Sequence, residues 1–76
     1  MITLLPIPIA FSRLRKSRSG GYADIKAGLL PRPVKTGLRA SCLPDDEVDA
    51  INRARIAGKT DDEIRALVLR LYANRV

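Results

Sequence analysis

The chain contains no histidine and a single cysteine, Cys42. Without those ligands a structural zinc site is excluded, and the imidazole that most often serves as general base is missing. One cysteine cannot close an intramolecular disulfide, which rules out the scaffolds that staple many small secreted domains. Aromatics are scarce as well: Phe11, Tyr22 and Tyr72, with no tryptophan. Proteins that hold single-stranded nucleic acid stack bases on aromatic platforms, and three rings outside any alternating strand pattern do not build one. Long apolar runs are also lacking. The apolar start, Met1–Phe11, is interrupted by Pro6 and Pro8 and is followed, not preceded, by the basic Arg13–Arg18. A secretory signal has the opposite order, and the stretch is too short to span a bilayer. We therefore expect no membrane partner and a cytoplasmic location.

What is present is a globular composition with an excess of cations. In 76 residues, 46% of them hydrophobic, there is room for one domain, 1–76, whose core buries about 60% of the unfolded chain's surface. Fourteen Lys and Arg stand against eight Asp and Glu, a net charge of +6. The excess is not spread evenly. Residues 1–43 hold Arg13, Arg15, Lys16, Arg18, Lys26, Arg32, Lys35 and Arg39 against Asp24 alone, whereas residues 44–76 hold six cations and seven acids. Charge kept for solubility mixes both signs along a chain. Segregated charge points instead to an anion-facing part joined to a neutral, self-stabilising part, and duplex DNA is the anion that best fits.

Along the chain, Met1–Ile7 reads as an extended lead-in. Pro8 suits the first turn of a helix, and Ile9, Ala10, Phe11 and Leu14 supply its apolar stripe to Leu14. Ser17 is an N-cap candidate for a second helix ending near Ala27, with Gly28 as its stop and Tyr22, Ile25 and Leu29 as its apolar side. Gly20–Gly21 costs such a helix roughly 2 kcal/mol relative to alanine, which predicts a late start or ordering only on DNA. Pro31-Arg32-Pro33 breaks the helical pattern. Residues 34–43 read as two short strands about a Gly37-Leu38 turn of type II′, with Gly37 at positive φ. That register puts Val34, Ser41 and Leu43 on one face and Lys35, Ala40 and Cys42 on the other.

Pro44-Asp45-Asp46-Glu47 opens a third helix that Gly58 ends. Its stripe is Val48, Ile51 and Ala54, with an i,i+4 pair of Asp49 and Arg53. Thr60-Asp61-Asp62-Glu63 spells a capping box for a fourth helix from Asp61 to about Asn74. Its stripe, Ile64, Leu67, Val68 and Leu71, reads as core or as a self-association surface. The predicted class is α+β, mainly α: a helix–turn–helix over 8–28, a two-stranded β-hairpin wing over 33–43, and two C-terminal helices over 44–58 and 60–74. A winged helix–turn–helix places one helix in the major groove and the hairpin on phosphates or the adjacent minor groove.

These residues also carry a family resemblance. Ser17-Arg18, Tyr22, Ile25-Lys26, Gly28, Leu30-Pro31, Pro33-Val34-Lys35, Gly37, Arg39 and Asp45-Asp46-Glu47-Val48 follow in the order seen in AlpA-like phage regulators and excisionases. The chain resembles that MerR-like winged-helix group over about residues 4–70. It departs where the pattern has glycine and an apolar residue before the serine, here Arg15-Lys16, at Gly20-Gly21, and at Leu43, where tryptophan is common. The resemblance implies a DNA-binding protein of a phage or integrative element. It would act as an excisionase that bends DNA for an integrase or recombinase, or as a transcriptional regulator.

The expected recognition-helix contacts are Ser17, Arg18, Ser19, Tyr22 and Lys26, with Tyr22 equally readable as a core aromatic. Arg32, Lys35, Thr36, Gly37 and Arg39 are expected at the backbone or in the wing, the cations meeting phosphates, which position rather than specify. Cys42 reads as a small strand residue. No catalytic residue, metal or cofactor is expected, because both acid triplets stand at helix starts where the dipole accounts for them. Expected partners are double-stranded DNA, an integrase or recombinase, and further copies of the chain as a dimer or cooperative array. The alternative is a protein–protein adaptor docking through its terminal helix.

Overall fold

In the computed structural model, which describes residues 1–75, seven elements follow one another. They are β1 (Leu4–Pro6), α1 (Ile7–Arg13), α2 (Arg18–Ala27), β2 (Val34–Lys35), β3 (Ser41–Pro44), α3 (Asp45–Ile56) and α4 (Asp61–Ala73). The architecture is α+β and mostly helical, with four helices and a three-stranded antiparallel sheet of order β1-β3-β2 among the described residues. Val76, the last residue of the expected domain, lies outside them.

The sheet corrects the expected two-stranded hairpin. The apolar lead-in contributes a strand of its own, pairing Leu5 with Leu43 across β3. Both side chains point inward and are buried, while Leu4 and Pro6 alternate outward. A two-stranded hairpin is marginal in water, and β1 supplies the third strand. Its start is tied down by two bonds: the Thr3 N–H donates to Asp45 Oδ1 (3.0 Å), and the Asp45 N–H donates to the Thr3 carbonyl (2.8 Å).

The β2–β3 register also differs by one residue from expectation. Val34 faces Cys42, Lys35 faces Ser41, and the Thr36 N–H bonds to the Ala40 carbonyl at 3.0 Å. The loop is therefore the three residues Gly37-Leu38-Arg39, and Gly37 is not at positive φ. A one-residue slip exchanges side-chain faces. Val34 thus shares a face with Cys42, and Lys35 shares its face with Ser41 and with Leu43, the residue that β3 buries beside Leu5.

Helix ends follow local chemistry closely. The Ser17 hydroxyl caps α2 by accepting from the Gly20 N–H (3.1 Å). Thr60 and Glu63 form the full capping box of α4. Three helices end in the same Schellman turn, with bonds from Lys16 to Phe11, Leu29 to Asp24, and Lys59 to Ala54. Its left-handed residue is Gly28 or Gly58 in two cases and Arg15, at φ 58°, in the third.

α1 begins one residue early, so its inward stripe is Ile7, Ala10, Phe11 and Leu14, and Ile9, expected there, is half exposed. α2 begins at Arg18 despite its two glycines, which corrects the expectation of a late start. Gly21 is where the Phe11 ring lies against the helix: a Cβ there would stand 2.5 Å from Phe11 Cε2. The glycine lost in helix propensity is the condition of that close approach. One core draws on β1, α1, β3, α3 and α4, with Leu30, Leu43, Val48, Ile51, Ile64 and Val68 at 2% exposure or less and half-buried Ile25 of α2 packed against it.

Candidate nucleic-acid interface

α2 buries only Gly21 completely. Arg18, Ser19, Tyr22, Ala23 and Lys26 are all exposed, and at 3.6 residues per turn they form one continuous face. Four of the five expected recognition-helix residues thus share a surface, and Ser17 contributes the cap beneath it. Tyr22 is not part of the apolar side, as its spacing with Ile25 had predicted. Its ring is 42% exposed and meets Phe11 edge to face, centroids 5.3 Å apart. The contact fixes the ring while leaving its hydroxyl end outward.

Two shallow depressions flank Tyr22. One, about 390 Å³, is lined by Ile7, Pro8, Phe11, Lys16 and Arg18 with Tyr22. The other, about 350 Å³, runs from Tyr22 past Pro6–Pro8 to Arg39, Ala40, Ser41 and Cys42. The face of α2 and the β2–β3 hairpin are therefore neighbours across the start of α1, with Tyr22 bordering both depressions, Arg18 the first and Arg39 the second. Lys35, Thr36, Gly37 and Arg39 are all exposed. Thr36 closes the loop through its backbone, and its Oγ1 lies 3.7 Å from Cys42 Sγ.

Arg32 is placed differently from the rest. Its N–H donates to the Tyr72 hydroxyl (2.8 Å), and its guanidinium stacks over the Tyr72 ring at 5.2 Å. Arg75 stacks over the same ring, donates to the Arg32 carbonyl (2.9 Å), and grips Glu47 through Nε and a terminal nitrogen. Hydrogen bonding to Glu47 holds the Arg75 guanidinium above its ordinary pKa. Glu47, 5% exposed, had been read only as a first-turn acid. No local signal identifies its partner, because Arg75 lies 28 residues away.

Residues 44–75 also hold the ends of the first two helices. Asn52 Nδ2 donates to the Arg13 carbonyl (3.2 Å), and Arg65 Nε donates to the Ala27 carbonyl (3.0 Å). Arg65, Arg55 and Lys59 are neutralised by Asp62, Asp61 and Glu63 respectively. The expected Asp49–Arg53 pair is not formed; neighbours four apart face the same way, but both side chains stay in water. Hydrogen bonds from Thr60, backbone first, hold the Glu63 carboxyl below its ordinary pKa. In residues 1–43 only Lys16 has an acid partner among the described residues, Asp24 at 2.9 Å. That contact satisfies the otherwise unbonded and buried Asp24 Oδ2.

The stripe considered for self-association lies within the chain's own core: Ile64 and Val68 are buried, and Leu67 and Leu71 are half-buried against it. No helix is long and apolar enough to cross a membrane among the described residues. Compared with known proteins, the chain matches no family model, no curated protein and no solved structure.

Proposed function

We propose that this chain binds double-stranded DNA as a winged helix–turn–helix, with the exposed face of α2 in the major groove and the β2–β3 hairpin as the wing. The observation that carries the reading is the pair of adjoining depressions that meet at Tyr22, one bordered by Arg18 and the other by Arg39, on the half of the chain where, among the described residues, only Lys16 of its cations has an acid partner. Unpartnered cations on a helix and an adjoining hairpin are held ready for phosphates. The half that caps α1 and α2 from behind has neutralised most of its own.

The resemblance to AlpA-like regulators and excisionases agrees with one feature of the backbone. The glycine of that pattern falls at Arg15, and Arg15 is the one non-glycine residue at positive φ among those described. In this reading the chain is not an enzyme and needs no cofactor; its acid triplets serve helix starts and ion pairs. It acts in excision beside an integrase or recombinase, or in transcriptional control. The adaptor alternative is weakened by the burial of the α4 stripe.

Anisotropy of a labelled duplex titrated with the full chain tests the proposal. Affinity should fall steeply with salt, and Lys35→Ala or Arg39→Ala should each reduce the log–log salt slope by about one. Arg18→Ala should alter preference between sequences, while Arg53→Ala should change neither. A salt-independent affinity, or none, overturns the reading. Footprinting of the DNA flanking the gene then separates the roles: protection at an attachment site indicates excision, and protection confined to a promoter indicates regulation.

A further inference from the structure

Phosphate contact leaves one residue of the hairpin unexplained. Leu38, at the apex of the three-residue loop, is 102% exposed. Burying a leucine is favourable, and the free chain leaves this one wholly in water. Isolated apolar residues are common on protein surfaces, so exposure alone decides nothing; the setting does. The exposed cations Lys35 and Arg39 stand beside it, which draws the loop toward phosphates. The apex is also narrow. Its neighbours Gly37 and Ala40 are small, and nothing in the fold requires a glycine at 37: its φ is not positive, and a Cβ there would meet only Ala40 Cβ, at an ordinary 3.7 Å. The absent side chain leaves room for close approach by another molecule.

We propose that Leu38 is a wedge that enters a base step from the minor groove. This rests on the reading of the chain as a duplex-binding protein. A groove about 6 Å wide excludes a helix but admits a loop apex. Apolar side chains inserted there partly unstack a step and kink the duplex. Pyrimidine–purine steps unstack most easily, so the wedge confers a preference for TA or CA/TG at a fixed distance from the bases met by α2, without a hydrogen bond to either base.

The test uses the full chain to select duplexes from a random pool, then places 2-aminopurine at the enriched step. Binding of the wild type should raise 2-aminopurine fluorescence and bring dyes at the duplex ends closer. Leu38→Ala should abolish both signals while costing less than about tenfold in affinity, since phosphate contacts supply most of it. Leu38→Phe should restore them. If duplexes are selected but the signals are absent, or persist in Leu38→Ala, the wedge is overturned and the DNA-binding reading stands. If no duplex is selected, both fall.

Discussion

In residues 44–75, four of six cations are engaged in ion pairs, through Asp61, Glu63, Asp62 and Glu47; in residues 1–43 only Lys16 is, of eight. The contrast extends to how each half is held. α3 and α4 bury Val48, Ile51, Ile64 and Val68 and lend Asn52 and Arg65 to the carbonyl ends of α1 and α2. α2 buries only Gly21 fully, sets half-buried Ile25 against the core, and turns Arg18, Ser19, Tyr22, Ala23 and Lys26 outward. A chain of this size has little stability in excess. Leaving like charges unpaired on one side is costly in the free state and becomes favourable when a polyanion lies across them. The difference is between a half that pairs most of its cations and a half that leaves most of its cations unpaired, and the proposed function rests on the second.

The largest effect that would sharpen this contrast concerns Arg75. Arg75→Ala strands the buried Glu47 carboxylate and should destabilise by about 3 kcal/mol, read from the urea midpoint. Glu47→Gln should cost less, because Arg75 is part exposed and can turn to water. Equal costs would mean that the pair does not hold α3, α4 and the Arg32 segment together.

Gly21→Ala is next. Propensity alone predicts a gain of about 1 kcal/mol, but the clash with Phe11 should reverse the sign to a loss of about 2 kcal/mol. Phe11→Leu in the same chain should recover part of it. A more stable Gly21→Ala would break the account of how α2 is seated.

Arg15→Gly should stabilise by about 1 kcal/mol, by relieving a left-handed residue in the turn between α1 and α2. Thermal unfolding of the variant measures it, and an unchanged midpoint would remove the strain assigned there. The smallest effect is at Glu63. Hydrogen bonds from Thr60 hold its carboxyl below the ordinary value of 4.5, so the capping box contributes fully above that pH and is lost as pH falls through the lowered folded value. An NMR titration of the Glu63 carboxyl should give a midpoint under 4.5, and Thr60→Ala should raise it. A midpoint at or above 4.5 would deny the cap.

The helix ends were legible because each depends on residues within one turn of itself. Ser17, Gly28, Gly58 and the Thr60–Glu63 box act through bonds spanning three to five positions, Pro44 acts through its restricted backbone, and such chemistry is written in adjacent letters. The face of α2 was legible from its period, apart from Tyr22, whose spacing suits either side. β1 was not. Leu4–Pro6 is three residues long and ends on a proline, and only pairing with distant β3 makes it a strand. The hairpin register differs because Gly37-Leu38 offers a two-residue turn locally, whereas the chain closes a three-residue loop through the Thr36 N–H and the Ala40 carbonyl. Gly20–Gly21 carried a signal of close approach that propensity alone could not interpret, since Phe11 belongs to another helix.

By itself the sequence determined where α3 and α4 start and stop and where α2 ends, that cations gather in the first 43 residues, and which of them lie along α2, because helix geometry and charge count are local properties. Tertiary structure alone decided that Tyr22 and Arg39 border one trough, that Glu47 and Arg75 clasp the Arg32 segment, and that the sheet has three strands. Those outcomes depend on which distant side chains exclude water together, and no window of consecutive residues contains them.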